Sequence, residues 1–233
     1  MTDVDVQNKI NGFLNSSFKK FMVHDYNEAI RDLQSAEVID PENPEILYNL
    51  GINYCRMGLY KTAINYFRKL INQKNAYIDA LEVKKILAYS LIHIQDYIES
   101  IKYLDHVLEL VPADVVAISM KGYCLDMQGK QAEALRIYGL LLEIDKKNYN
   151  AYNSIAYIMA KTGGDLKKAL EYANIAYESN KNHPAYLDTL GYINMMMGNV
   201  ILADQYFKNA IEQAPLSNEI RTHIEELNRT RTR

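Results

Sequence analysis

Residues 44–75 read PEILYNLGINYCRMGLYKTAINYFRKLINQKN, and this stretch decides the fold. Apolar residues recur every three or four positions on both sides of Met57-Gly58, which is the period of two amphipathic helices. Gly51 lies in the first half and Ala63 in the second. Helices that cross closely need a small residue at the contact, because a larger side chain would force them apart. The stretch therefore predicts two helices joined by a short turn.

The same residue types return about every 34 positions along the chain, with a three-residue insertion near residues 78–80 and one extra residue at Gly163-Gly164. One column of small residues is Ser17, Gly51, Ala88, Gly122, Ala156 and Gly191. A second is Ala29, Ala63, Ser100, Ala134, Ala169 and Ala203. Four positions later comes a mostly large column, Leu33, Phe67, Leu104, Tyr138, Ala173 and Phe207. Three positions further lies an apolar column, Ala36, Leu70, Val107, Leu141, Ala176 and Ala210. Fixed periods of this length indicate a stacked repeat protein.

Residue types that end helices recur at fixed positions in the repeats. A column of helix-ending positions closes each second helix: Pro41, Asn75, Pro112, Lys146, Lys181 and Pro215. Proline lacks the backbone donor and disfavours helix in the residue before it. The turns inside the pairs are expected at His24-Asp25, Met57-Gly58, Gln95-Asp96, Gln128-Gly129, Gly163-Gly164 and Gly198-Asn199. Each carries glycine, asparagine or aspartate, which tight turns and helix ends favour.

This pattern resembles the tetratricopeptide repeat (TPR) family, through Leu50-Gly51, Tyr54, Ala63 and Phe67 in the quoted stretch and a second good match at 184–215. The resemblance implies an all-α, right-handed superhelical solenoid of antiparallel helix pairs. The tryptophan of the family's first helix is absent, and Lys84 interrupts that column in the third repeat. We expect a single solenoid over 10–217, with repeats at 10–43, 44–77, 81–114, 115–148, 149–183 and 184–217.

The two ends and the third repeat give more specific expectations. Residues 1–9 and the basic tail, Arg229–Arg233, are expected to be loose. Ile220, Ile224 and Leu227 share one stripe, so residues 218–233 are expected to contain a capping helix followed by that tail. The first helix of repeat three is expected to begin near Tyr77.

The composition of the chain argues against some classes of function. The chain has 233 residues, 48% of them hydrophobic, and a formal net charge of −3. This charge does not indicate a nucleic-acid-binding protein, and the only basic stripe is the short tail with Arg229, Arg231 and Arg233. No apolar run approaches the ~20 residues of a membrane span. The two cysteines form no paired motif. We expect a cytoplasmic location, unless Met1 replaces a removed leader.

The sequence contains no recognisable catalytic or metal-binding motif. The histidines show no HExxH spacing, and we expect each to be a partly exposed polar residue: His24, His93, His106, His183 and His223. Gly163-Gly164 follows no strand, so it is not a dinucleotide fingerprint. Met195-Met196-Met197 could suit a soft metal, but consecutive helical residues face different directions, and methionine commonly fills core positions. We therefore expect no enzyme, no cofactor and no metal.

A third repeated feature is a set of tyrosines. The TPR resemblance implies that the first helix of each pair lines a concave surface, into which the residue after the small column points. Together with positions one turn away, this gives a partner-binding set: Tyr48, Lys85, Tyr89, Tyr123, Asp126, Asn153, Tyr157, Asp188 and Tyr192. Tyrosine combines an apolar ring, one hydroxyl and few rotatable bonds, which suits binding surfaces. The alternative interpretation is that these rings pack against neighbouring helices.

Two functions follow as hypotheses. The first is an adaptor that holds a peptide or partner protein in the tyrosine-lined groove. The second is a structural or assembly protein that self-associates or builds a complex through its ends and convex face, as the apolar Phe13, Phe18 and Phe21 of the first helix indicate. Some TPR proteins bind chaperone C-terminal carboxylates through a basic clamp. Here the matching positions hold Leu14, Phe18, Asn49, Glu82 and Ile86, so we expect no such clamp.

Overall fold

The structure is a computed structural model that describes residues 2–73 and 78–231. Within those residues it consists of thirteen α-helices and contains no β-strand. The helices are α1 Asp3–Met22, α2 Tyr26–Glu37, α3 Pro44–Arg56, α4 Tyr60–Ile71, α5 Ala80–His93, α6 Tyr97–Leu110, α7 Val115–Met127, α8 Gln131–Ile144, α9 Tyr149–Lys161, α10 Leu166–Ser179, α11 Pro184–Met196, α12 Val200–Gln213 and α13 Asn218–Arg231. The all-α repeat architecture expected from the sequence is confirmed.

All six predicted turns join the two helices of a pair. Each contains one residue in the left-handed region: His24, Gly58, Gln95, Gly129, Gly163 and Gly198. Glycine adopts this conformation freely, whereas the two side-chain-bearing residues have φ of 63° at a steric cost. In both of those turns an aspartate follows, Asp25 or Asp96, and caps the next helix by accepting a backbone hydrogen bond. In the pairs α1–α2, α3–α4, α5–α6, α9–α10 and α11–α12, the short turn holds the two helices side by side and antiparallel.

The predicted columns form the core. All members of the two small columns are buried, and so are all members of the two apolar columns that follow. The tightest contact is between α3 and α4, where a Cβ added to Gly51 would lie 2.5 Å from Cε1 of Phe67. Gly191 and Phe207 repeat this contact between α11 and α12, with a corresponding distance of 2.6 Å. Glycine is required at both places because the ring fills the space that a side chain would need.

The chain groups into two compact units, residues 1–124 and 125–233, which divide within α7. In unit 1, Phe67, Leu87 and Leu91 belong to one fully buried cluster and Leu33 to another. In unit 2, the clusters form among α9 to α13 and include Ala173, Leu190, Phe207 and Leu227. The single solenoid over 10–217 stays a prediction.

Three local expectations are wrong. Residues 3–9 belong to α1 and are not a loose lead, because Thr2 and Asp5 form a reciprocal capping box and Ile10 is 1% exposed in the core. Residues 229–231 likewise continue α13. The third repeat's first helix begins at Ala80, capped by Asp79, whose carboxylate accepts from the backbone of Leu81 and Glu82.

Some expectations fall on residues that the structure does not describe. The proposed start of that helix, Tyr77, and one member of the helix-ending column, Asn75, both lie outside the described residues, as does the last part of the predicted tail, 232–233.

The glycine–phenylalanine contact leads to a stability prediction. Gly51→Ala should lower the free energy of unfolding by about 2 kcal/mol, because the added methyl overlaps the buried Phe67 ring. Gly12→Ala is the matched control: Gly12 is an exposed residue of α1, and an added Cβ would meet nothing within 4 Å. It should raise stability by up to about 1 kcal/mol through helix propensity. Denaturant unfolding of both variants tests this, and equal stabilities would contradict the close contact.

Candidate partner-binding surfaces

A groove of about 540 Å³ lies in unit 1 along α1, α3 and α5, and we call it the unit 1 groove. It is lined by Ser17, Phe18, Phe21, Tyr48, Asn49, Ile52, Asn53, Cys55, Arg56, Glu82, Ile86 and Tyr89. All three contributing helices are first helices of their pairs, as the resemblance implied. Two residues of the predicted set, Tyr48 and Tyr89, line it.

The walls of the unit 1 groove are apolar and accessible. Phe18 is 62% exposed and Tyr89 46%, although both are large aromatic residues. Tyr48 is half-buried, and burial together with the nearby charge of Glu82 raises the pKa of its hydroxyl. That phenol therefore stays protonated at neutral pH and can act as a hydrogen-bond donor. Exposed aromatic surface in a concave site favours binding of another apolar group.

Neighbouring rings hold the exposed tyrosines in place. Tyr89 packs edge-on against His93, with ring centroids 4.4 Å apart, and His93 stacks on Tyr60 at 4.2 Å. Burial lowers the pKa of His93, which favours the neutral imidazole in this stack. The next repeat has a similar arrangement. Tyr123 is 43% exposed and lies edge-on to Tyr97, with ring centroids 6.3 Å apart. Such packing lowers the entropy that an aromatic ring loses on binding.

Lys85, a predicted binding residue, is held within unit 1. Its ammonium group lies 2.9 Å from Glu82 and 3.0 Å from Asp114. The hydrogen bond to Glu82 is the largest influence, and together with Asp114 it raises the pKa of Lys85. Asp114 also caps α7 by accepting from the backbone of Ala117. Lys85 therefore links α5 to the start of α7.

In unit 2, three residues of the predicted set surround one histidine. His223 of α13 places Nδ1 2.9 Å from a carboxylate oxygen of Asp188 and Nε2 3.3 Å from the Tyr157 hydroxyl. The Tyr192 ring lies 4.8 Å from the imidazole and 5.3 Å from the Tyr157 ring, between centroids. Asp188 and His223 are each 5% exposed. The expectation that His223 is a partly exposed polar residue is therefore wrong.

The remaining predicted residues of unit 2, Asp126 and Asn153, carry unsatisfied acceptors. Oδ1 of each is buried and has no hydrogen-bond donor within the described residues. Burial raises the pKa of the Asp126 carboxyl, while the positive charge of Lys161 partly opposes that effect. The Lys161 ammonium itself lies 5.7 Å from the Tyr157 ring centroid. This surface combines aromatic rings with oxygen acceptors that lack donors.

Two acidic residues of α13 add to this surface and were missed from the sequence. Desolvation of its carboxylate raises the pKa of Glu219, and the negative charges of Asp188 and Asp126 add to this effect, while His223 and Lys161 partly oppose it. Glu226 acts on Tyr192, whose pKa is raised first by burial and then by that charge. Glu226 follows Tyr192 by one 34-residue step, so extending the tyrosine column into the capping helix would have found it. The surface formed by Asp126, Asn153, Tyr157, Tyr192, Glu219 and Glu226 is called the unit 2 surface below.

Asp188, Glu219 and His223 also form a group whose possible ligand atoms lie within 4.8 Å of one another. The Asp188–His223 hydrogen bond already accounts for the burial of those two residues, because each satisfies the other's polar atoms. The geometry therefore fits an attachment of α13 to α11.

Comparisons with known proteins agree with the repeat architecture. Helix pairs that return at 34-residue steps define a helical repeat protein. A family model described as TPR repeat matches residues 25–58, and one described as tetratricopeptide repeat matches residues 45–73. The chain is a tetratricopeptide repeat protein.

Individual relatives are distant in sequence. Human tetratricopeptide repeat protein 6 is 24% identical over 182 residues, which is 78% of this chain and 35% of that protein. A TPR protein from Parabacteroides merdae has a crystal structure with a TM-score of 0.75 at 18% identity, over 94% of this chain and 84% of that one. YrrB, described as a TPR protein with an unusual peptide-binding site, has a TM-score of 0.61 at 23% identity, over 75% and 88% of the respective chains.

The chain spans between 20% and 35% of the length of the curated relatives that it matches. Its similarity to them therefore concerns the repeats and not a whole protein. Across residues 2–73 and 78–231, every helix is too short or too polar to cross a bilayer.

The buried histidine leads to a pH prediction. Burial alone would lower the pKa of His223, but the hydrogen bond and charge of Asp188, with Glu219 and Glu226, raise it above the ordinary value. Protonated His223 therefore stabilises the fold fully below about pH 6.5, and this contribution is lost as pH rises through the folded-state pKa. The stability difference between the wild type and His223→Gln should shrink from pH 5.5 to pH 9, roughly the range over which imidazole titrates. A difference that is constant, or grows with pH, in denaturant unfolding would contradict this pairing.

Proposed function

We propose that this chain is a non-catalytic scaffold that binds a peptide or partner protein on the tyrosine-bearing faces of its first helices. TPR folds are in general protein–protein interaction scaffolds, which supports the class of function. The observation that carries the proposal is the unit 1 groove, where Phe18 and Tyr89 are exposed next to Ile52 and Ile86. Leaving such rings in water is unfavourable, and covering them with a partner removes that cost.

The unit 1 groove has the features of a binding site with a small entropic cost. Tyr89 is held by His93 and Tyr60, and Phe18 belongs to the long helix α1. Asn49 and Asn53 lie along the same groove, and each already donates its side-chain amide to a backbone carbonyl one turn earlier. The groove is therefore largely formed before a partner arrives, which favours affinity.

A capture experiment tests this proposal. Phe18→Ala combined with Tyr89→Ala should reduce recovery of a bound partner from cell extract at least about tenfold, since buried aromatic anchors commonly contribute 2 kcal/mol or more. The matched control is Val38→Ala combined with Ile98→Ala, which also removes two exposed apolar side chains of unit 1, 86% and 67% exposed, away from the groove. Partners are identified by mass spectrometry, and circular dichroism checks helicity. Equal recovery by both double variants would exclude the groove as the binding site.

The unit 2 surface gives the second part of the proposal, a preference for positive charge. Asp126, Glu219 and Glu226 act on the tyrosines of this surface, and the acceptor oxygens of Asp126 and Asn153 have no donors among the described residues. Lys161 supplies positive charge there by lying over Tyr157. A basic side chain of a partner would supply hydrogen-bond donors and offset the crowded carboxylates.

Charge removal tests this preference. Asp126→Asn with Glu219→Gln should weaken partner binding and flatten its dependence on salt, because these substitutions remove the attraction between opposite charges that salt would otherwise screen. Glu143→Gln with Glu212→Gln removes the same charge from exposed positions of unit 2 and should change neither. The measurement is the dissociation constant of the captured partner at low and high salt. Should the two double variants have the same salt slope, the unit 2 surface does not select a basic partner.

An assembly role is the second candidate. It is favoured by apolar residues exposed around the turn between α11 and α12: Met196 at 45%, Met197 at 37%, Ile201 at 78% and Leu202 at 41%. A patch of this kind is unusual on a monomer and is typical of a contact with another protein. The candidate requires a contact outside the unit 1 groove. A strict monomer in light scattering at high concentration would remove its main support.

A further inference from the structure

We propose that the unit 1 groove recognises a tryptophan side chain of the partner, which it selects by one hydrogen bond and one cation–π contact. This inference rests on the proposed function and names the group that the groove binds. It follows from three properties of the lining: apolar walls, one buried acceptor and one cation, where neither the acceptor nor the cation has a partner among residues 2–73 and 78–231.

The buried acceptor belongs to Asn53. This residue lines the unit 1 groove and is 3% exposed, yet its Oδ1 has no donor within the described residues. Its Nδ2 donates to the backbone oxygen of Asn49 at 2.8 Å. That bond fixes which end of the amide is nitrogen, since a flipped amide would place two acceptors together. The unsatisfied group is therefore an acceptor and can be satisfied only by a donor.

The cation at the groove is Arg56. It is exposed, it lines the groove, and no carboxylate of the described residues lies within ion-pair distance of it. The other charged lining residue, Glu82, is already paired with Lys85 at 2.9 Å. A guanidinium group that is free of carboxylates can lie over an aromatic face, and the indole ring is the best such partner.

Few side chains satisfy all three properties at once. Lysine or arginine of a partner would bring a second cation next to Arg56 and remove charge from water among the rings of Phe18 and Tyr89, which is costly. Phenylalanine and leucine match the walls but leave the Asn53 oxygen unsatisfied. Indole combines a broad apolar ring with a single N–H donor and no acceptor. Tryptophan is therefore the side chain that the lining fits.

The chain contains no tryptophan, so an indole probe is the only indole present in solution with it. Two probes of equal size separate the hydrogen bond from apolar contact: 3-methylindole keeps the N–H donor, and 1-methylindole lacks it. Fluorescence excited at the red edge of indole absorption, where tyrosine contributes little, measures the affinity of the intact chain for each. We expect 3-methylindole to bind about tenfold more tightly, the upper range for one hydrogen bond that also satisfies a buried acceptor.

Variants assign the two contacts. Asn53→Leu removes the acceptor and should make the two probes bind equally, while Arg56→Gln should weaken both probes alike. Equal affinity of the two probes for the wild type, or no binding of either, overturns the proposal without any variant. A tenfold preference that survives Asn53→Leu also overturns it.

The two proposals fail in different ways. If the probes bind equally and Phe18→Ala with Tyr89→Ala still abolishes partner capture, the groove binds a partner but not through indole. If capture is insensitive to that double variant, the proposed function fails at this groove even when the probes differ.

Discussion

The close crossing of two helices at a glycine is the constraint on which the rest of the structure depends. At Gly51 and Gly191 a phenylalanine ring occupies the place of the missing side chain, so the paired helices touch without a gap. The buried columns are positioned by that contact, since residues four apart on a helix share a face. It also decides which face of each first helix is turned away from its partner, and hence where the candidate binding residues lie.

The tyrosine column shows how one repeated position acquires different roles. Tyr89 and Tyr123 are exposed, and each lies edge-on to neighbouring aromatic rings: Tyr89 to His93 and Tyr60, and Tyr123 to Tyr97. Tyr157 and Tyr192 instead pack around His223. The interpretation as partner-binding residues thus has more support for Tyr89 and Tyr123. The interpretation as rings that pack against neighbouring helices has support for Tyr157 and Tyr192. A ring becomes structural where a later helix brings it a buried polar partner.

The fold could be predicted from the sequence because it depends on a local and repeated requirement. Every repeat has small, large and helix-ending residues at the same positions. A repeat with a weak pattern, such as the third, can therefore be identified from the repeats on either side of it. The start of α1 was missed because a capping box at Thr2 is a single local signal without a repeated counterpart. Details of the surfaces depend on contacts between residues far apart in sequence. The pair Lys85–Asp114 links α5 to the residue that caps α7, and Asp188–His223 links α11 to the capping helix α13; no spacing rule indicates either pair.

The short turns of three or four residues between paired helices have a consequence for how the chain folds. Closing so short a loop costs little entropy, and the helix contacts lie between elements near each other in sequence. Low contact order of this kind favours rapid folding, and a helical hairpin can form before distant parts of the chain have met. Because several hairpins meet the same requirement, folding has several possible starting points. A destabilising substitution in one turn would then change the order in which the helix pairs form more than it would prevent folding.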